Sequence, residues 1–521
     1  MSSLTLFRQR HAREAALAAL CAILFLTFLD NTIVSVALAD IQSSLSVSVT
    51  GLQWIVDGYM LAFAALMLTG GTLGDLLGRK KVMLTGVAVF CAGSIVAAVA
   101  PDATTLIAGR VVMGIGAAAS EPGTLSLIRH IYPDREERAV ALGVWAAVSG
   151  LALALGPVIG GVLISGAGWR WIFWFGLGFG AVALAAAAVT LTESRDPEGR
   201  KLDLTGLATG AAAILAATFA VIEGENRGYG TWWIGVLFAA AAVLMVGFVV
   251  VEQRVADPVL ELEFLRNPTF TAANIVAFAT NLSVFSVFFF TALYLQLITD
   301  FSGYQIALVF TSLAVAMIVA GPIAGRWTAR VGPRVPMVLG CLLAGLGLLL
   351  VDQQLTATTS VAALAWPLAI AGLGFGIALV TMTAAVLTLV PPEQSGMAAS
   401  TVNTSRELGG VFGVAVLGAV VNAQLTSGLT EKLVRLGIPP VFRQIVIQFV
   451  TTGGNLTSVE NSPGVKGHEK IVAKVLLAAE DSAGHGIHLT LEIAGGIVLA
   501  AAVVAAFAAR HRVGRVEAVE L

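Results

Sequence analysis

GTLGDLLGRKKVML, residues 71 to 84, joins two long apolar runs, about 51–73 before it and about 82–100 after it. Each run is long enough to cross a hydrocarbon core of about 30 Å as a helix. The link between them allows only a tight turn, so the two runs are antiparallel neighbours in a membrane. Its glycines permit close helix packing, and Arg79, Lys80 and Lys81 mark the side on which the turn lies. Asp75 is placed to sit near a helix N-terminus or to pair with an arginine.

The same pattern extends in both directions. Apolar runs fall at about 15–38, 51–73, 82–100, 103–126, 139–163, 170–191, 204–222, 231–251, 270–297, 304–325, 335–351, 362–389, 398–422 and 486–509, which predicts fourteen spans. Of the 521 residues 57% are hydrophobic and 12% charged, and the mean hydropathy is +0.89, which excludes a soluble globular enzyme. The first run is too long for a cleaved leader, lacks a small-residue cleavage site and carries Asp30, so it counts as span 1. Thirty Lys plus Arg nearly cancel 32 Asp plus Glu, leaving no basic surface for nucleic acid. Cys21, Cys91 and Cys341 sit in apolar runs as fillers, without disulfide or metal spacing. The excess of Arg over Lys and the Ala- and Gly-rich runs suit a GC-rich bacterial genome.

The basic residues orient the chain. Twenty of the 30 fall on the side of the N-terminus, in the two terminal segments and in the turns that follow every second span. The opposite short loops hold only Arg170 and Arg227; six more lie in the long segment 423–485, and Arg110 and Arg406 fall inside spans. Both termini are therefore expected in the cytoplasm. A weak repeat sets Gly71 on Gly325 and Gly78 on Gly332 at an offset of 254, and Gly114 and Gly116 on Gly374 and Gly376 at an offset of 260. Two related six-helix halves, spans 1–6 and 9–14, with two helices inserted between them, account for it. The corresponding units are 1–200, 201–268 and 269–521, the last with a long outer loop 423–485.

Four strings carry a family resemblance. GTLGDLLGRKK resembles the loop signature of the major facilitator superfamily. LDNTIVSVAL in span 1, RVVMGIGAAASEP in span 4 and GLALALGPVIGGVL in span 5 resemble its fourteen-span drug:proton antiporters, and the likeness covers essentially the whole chain. It implies an all-α polytopic membrane protein of the major facilitator fold, two six-helix bundles plus two inserted helices. It also implies gating by Gly71, Asp75, Gly78 and Arg79, and by Gly156, Pro157, Gly160 and Gly161 of span 5. Ordinary small-residue packing would use the same span-5 residues.

Charges inside the spans are the chemical candidates, because an acid at mid-membrane costs about 2.5–3.5 kcal/mol on insertion scales and needs a partner or water. At about 1.5 Å per residue Asp30, Asp57 and Arg110 share one depth, near the outer surface. The resemblance associates the Asp30 and Arg110 positions with proton coupling; a static ion pair that only fixes helix packing is the competing reading. Asp57 departs from the Thr more usual at its position, though some multidrug members also carry an acid there; it is expected to join the proton coupling as a second acid that raises the number of protons exchanged, or only to hydrogen-bond a neighbouring helix. Arg110, Gly114, Ala117 and Glu121 occupy one face of span 4, expected to line a cavity. Glu121 is either a second protonation site or a cap for a turn loosened by Pro122. Arg406 and Glu407 lie in the inner half with Glu121, as an intra-bundle ion pair or in a substrate or proton role.

Span 9 supplies aromatic faces, and Phe278, Asn281 and Phe285 on one face are the residues expected at a site for lipophilic cations, with Asp57 and Glu407. Val441, Phe442, Ile445, Val446, Phe449 and Val450 keep a helical period, which predicts a short interfacial helix, a lid or a passive decoration. His485 and His488 have no carboxylate or Cys at a supporting spacing, so no metal is expected.

The expectation is a monomeric, proton-driven exporter of small amphipathic, often cationic, drug-like compounds. It is expected in the bacterial cytoplasmic (inner) membrane, with protons, lipid and a small-molecule substrate as partners and with no cofactor or ATP. A dedicated exporter of one metabolite, antibiotic, lipid or amino acid would use the same fold. A membrane-embedded enzyme or sensor lacks any nucleotide loop or Ser-His constellation here.

Overall fold

The computed structural model describes residues 3–45, 47, 49–195, 203–255, 258–299, 301, 303–391, 394–436, 438, 443 and 469–508. Among them there are helices and no strand. The helices are α1 (Ser3–Leu45), α2 (Val49–Leu77), α3 (Arg79–Ala98), α4 (Ala103–Ile131), α5 (Arg135–Ala167), α6 (Arg170–Thr190), α7 (Leu204–Arg227) and α8 (Trp232–Glu252). They continue as α9 (Leu262–Arg266), α10 (Pro268–Leu297), α11 (Gly303–Val331), α12 (Arg334–Gln354), α13 (Val361–Leu389), α14 (Ser395–Arg435) and α15 (Glu469–Ala508). Thirteen of the described helices are long and apolar enough to cross a membrane, and α5, as a pair bent by 41° between Leu153 and Val158, makes fourteen. Pro157, which lacks a backbone N–H to donate, falls within that break; its side chain lies outside the described residues.

Local chemistry starts these helices. Asp102 accepts from Thr105 N at 2.8 Å, Asp134 from Glu136 N at 2.8 Å and Asn267 from Thr269 N at 3.0 Å, each satisfying amides that a first turn leaves free. The Thr105 amide also holds the exposed Asp102 carboxyl below the ordinary range. Gly78, at φ 111°, makes the reversal between α2 and α3, and Gly332, at φ 83°, makes the equivalent one between α11 and α12.

α1 to α6 pack on one another, α10 to α15 do likewise, and α7 pairs with α8 and lies against α2 and α14. The helix contacts repeat between the two groups. Gly114 meets α2 at Tyr59 O, as Gly372 meets α11 at Leu313 O; Gly116 meets α3 at Phe90 N, as Gly374 meets α12 at Ala344 N. The α4–α13 register is therefore 258, not the 260 read from the glycine spacing. Two G-x-G strings overlap when shifted by two, and only the touching partner tells them apart.

The outer segment differs from the expectation. α14 continues as helix to Arg435 and α15 begins at Glu469, so much of 423–485 is helix. Leu429 and Leu433 pack on Ala478 and Ala479, and Lys432 pairs with Asp481. The apolar stretch 441–450, apart from Arg443, lies outside the described residues.

Candidate functional site

At the end of the bundle that carries the basic turns, the two groups of helices close on each other. Asp75, buried at the end of α2, accepts from Gly396 N at 3.0 Å and Met397 N at 2.9 Å, so it caps α14 from the other group. Arg79 Nε donates to Asp75 Oδ1 at 2.8 Å and Arg79 Nη1 to Ser194 Oγ at 3.0 Å. The Asp75 alternatives read from sequence, helix terminus or arginine, both hold at once. A Cβ on Gly71 would lie 2.4 Å from Ser400 Cβ and 2.6 Å from Gly396 O. The related crossing of α5 and α11 is as close: a Cβ on Gly325 would lie 2.0 Å from Ala139 O, and one on Gly321 2.3 Å from Gly143 O. Arg129, one of the basic residues at this end, donates to Val390 O at 2.7 Å and Pro391 O at 3.2 Å.

The span-5 glycines divide. A Cβ on Gly156 would lie 1.9 Å from Thr32 Oγ1 and one on Gly160 3.1 Å from Ile33 O, whereas one on Gly161 meets nothing within 4 Å. Gly156 and Gly160 form the groove that seats α1. Gly161 takes no part in it.

Toward the opposite end, Arg110 Nη1 and Asp30 Oδ2 form a direct ion pair, both side chains buried. Arg110 Nε donates to Ile55 O at 2.9 Å, and its guanidinium carbon lies 4.4 Å from the Tyr59 ring centre. Arg110 and Gly114 of that face meet α2, at Ile55 O and Tyr59 O, Ala117 is buried between them and Glu121, and Glu121 at the far end reaches the other group of helices. Asp57 lies at the level of Arg110 along α2, on the face toward α7. It lies within electrostatic reach of Glu223 on α7, two helices that the Trp54–Phe219 ring pair at 5.5 Å also joins, and no cation among the described residues forms an ion pair with it. Glu223 is buried, with Arg227 Nε 2.7 Å from Oε2 but in no hydrogen-bonding geometry. Sequence reading passed over Glu223 because the apolar run ends one residue before it.

At the interface of the two groups Arg406 Nη1 stands 3.9 Å from Glu121 Oε1, with 1% and 0% of the side chains exposed. This ion pair joins the two groups instead of lying within one. Arg406 Nη1 donates to Asn403 Oδ1 at 3.0 Å, and Asn281 Nδ2 donates to Arg406 O at 2.8 Å. Glu407 is buried with Oε1 unbonded, as are both Glu121 oxygens and Arg406 Nε. Phe278 meets Phe412 edge-on with ring centres 5.9 Å apart, and its backbone seats Gly409; Phe285 covers Gly410. These two rings lie in the α10–α14 contact, because the small residues of α14 draw that face in. Phe28 and Trp145, not foreseen, line the recess that holds Arg406. Away from it, His488 Nδ1 lies 2.6 Å from Asp352 Oδ1, a partner 136 residues distant.

Buried charges on a bundle of paired, repeated helices agree with what the chain resembles as a whole. The sequence model of the Major Facilitator Superfamily matches residues 20–414. The multidrug resistance protein Stp of Mycobacterium tuberculosis is 32% identical over 474 residues, 90% of this chain and 87% of that protein. The methylenomycin A resistance protein of Streptomyces coelicolor is 35% identical over 76% of this chain and 83% of its own length. The tetracenomycin C resistance and export protein of Streptomyces glaucescens is 29% identical over 92% and 88%. A crystal structure of the human organic anion transporter MFSD10 (TETRAN) shares the fold, with a TM-score of 0.60 over 95% of this chain and 99% of that one at 15% identity. With the repeat, the closed glycine crossings and the family match on the same helices, this chain belongs to the major facilitator superfamily.

Proposed function

We propose that this protein is a proton-coupled exporter of small amphipathic, often cationic, drug-like compounds, working by alternating access in a bacterial cytoplasmic membrane. Residues 1–200 and 269–521 are taken as the two bundles and 201–268 as the insert, with both termini and the basic turns in the cytoplasm. The structure then has its cytoplasmic end closed. The observation that carries the reading is the Asp30–Arg110 pair, a carboxylate whose nearest charge is a guanidinium in the same buried layer. A proton and Arg110 compete for that carboxylate, so protonation from outside frees Arg110 and loosens α4 from α1. Deprotonation restores the pair. The relatives named for multidrug resistance and for export support the direction of transport. Chemistry on the cargo is not proposed, and ATP is not required.

Names that specify one antibiotic, methylenomycin A and tetracenomycin C, favour a second reading, a dedicated exporter on the same fold. Proteoliposomes with an imposed pH gradient test both. Ethidium should move against its gradient in the parent and stop moving in Asp30→Asn. Uphill movement undiminished in Asp30→Asn refutes the coupling, and transport of a single compound from a diverse panel selects the dedicated exporter.

A further inference from the structure

Arg406 leaves its own bundle and enters a recess of the other. Its guanidinium carbon lies 5.1 Å from the ring centre of Phe28 on α1 and 5.4 Å from that of Trp145 on α5, with Glu121 of α4 at 3.9 Å. Two aromatic faces and a carboxylate around one positive charge make a receptor for an organic cation. Here the occupant is a side chain supplied from across the interface.

The recess stands without its occupant. Trp145 Nε1 donates to Thr124 Oγ1 at 3.1 Å, and Thr124 Oγ1 donates to Glu121 O at 2.7 Å, so α4 and α5 orient the indole by themselves. The grip on Arg406 is loose. At 3.9 Å the contact with Glu121 is an ion pair beyond hydrogen-bond range, and both Glu121 oxygens and Arg406 Nε are unbonded although fully buried. A committed arginine–carboxylate pair is bidentate at about 2.7–2.9 Å.

Position ties this contact to the conformational cycle. Arg406 lies about 16 Å along α14 from Ser395, and Glu121 about 15 Å from the end of α4 at Ile131, both measured from the closed end. Opening that end carries α14 away from α4 and α5. The guanidinium withdraws, and Glu121 is left buried without a counter-charge, a state that draws in a cation.

We propose that the Phe28–Glu121–Trp145 recess receives the positive charge of the cargo, and that Arg406 is a built-in competitor which re-enters on closure and expels it toward the opposite end. This rests on the export reading above and adds the step that releases the cargo. One carboxylate cannot hold two cations in so small a space, and the tethered one returns at high effective concentration. Glu407, buried on α14 within electrostatic reach of Glu121 and Arg406, comes and goes with Arg406, so on opening Glu121 alone faces the cargo's charge. A weakly hydrated monocation suits the recess, because the rings that accept a guanidinium accept other delocalised positive charge.

Ethidium binding to the purified full-length protein, followed by fluorescence, tests the competitor directly. Arg406→Gln should bind ethidium at least tenfold tighter than the parent, and should export it at least tenfold more slowly from vesicles. Adding Glu121→Gln to Arg406→Gln should return binding to the weak parental level. Binding in Arg406→Gln no tighter than in the parent overturns the inference, as does tight binding that persists with Glu121→Gln. If Arg406→Gln does not fold, Trp145→Phe decides: a several-fold higher KM for ethidium with that of an uncharged dye unchanged supports the recess, and an unchanged ethidium KM overturns it. Parent vesicles that fail to move ethidium under a pH gradient would fault the export reading, whereas the binding measurements need no transport.

Discussion

Asp75→Asn should open the closed end of this transporter. Asp75 accepts two amides of α14 and the Nε of Arg79, all between 2.8 and 3.0 Å, while buried. Hydrogen bonds to a charged group contribute about 1.5–3 kcal/mol each, and an uncharged amide keeps part of that with one oxygen. It also turns a donor toward amides that need acceptors and leaves Arg79 without its ion-pair partner. A net loss of about 2 kcal/mol from the closed state shifts the closed-to-open ratio about thirtyfold, which would bring a population about 97% closed to about even. Spin labels at Glu136→Cys and Arg330→Cys would report it, since these exposed side chains face each other at 3.9 Å across the α5–α11 crossing. Removing that exposed pair costs little, and Cys21, Cys91 and Cys341 are buried, away from labelling reagent. A distance distribution in Asp75→Asn identical to that of the parent would refute the reasoning and leave the turn a purely topological role.

Two further outcomes are expected. Gly156→Ala should lose most transport, because its Cβ would lie 1.9 Å from Thr32 Oγ1 and overpacking costs about 1–3 kcal/mol, while Gly161→Ala, with nothing within 4 Å, should match the parent in dye efflux; equal loss in both would refute the assignment of the groove. Asp57→Asn and Glu223→Gln should each raise the KM for ethidium more than that for a neutral dye, and the double variant should fall short of the product of the two effects; strictly multiplicative effects would separate the two acids.

What the sequence determined by itself was set by the solvent. A bilayer demands long apolar runs, and it penalises charge within them and sorts basic turns to one side; the spans, Asp30, Arg110, Glu121 and Glu407 were legible for that reason alone. Register and partnership were not. Gly114 and Gly116 allowed two alignments, and contact with Tyr59 O and Phe90 N chose between them. Helical periodicity put Arg110 and Glu121 on one face, yet α2 covers the upper part of that face and α14 meets its lower end. Phe278 and Phe285 had the composition of a binding surface, and glycines 409 and 410 turned it into a helix contact. Arg406 was visible as a buried charge. Only the tertiary structure placed it against Glu121, Phe28 and Trp145 of the other bundle, because which charge neutralises which depends on how helices far apart in sequence cross, and no local spacing encodes that.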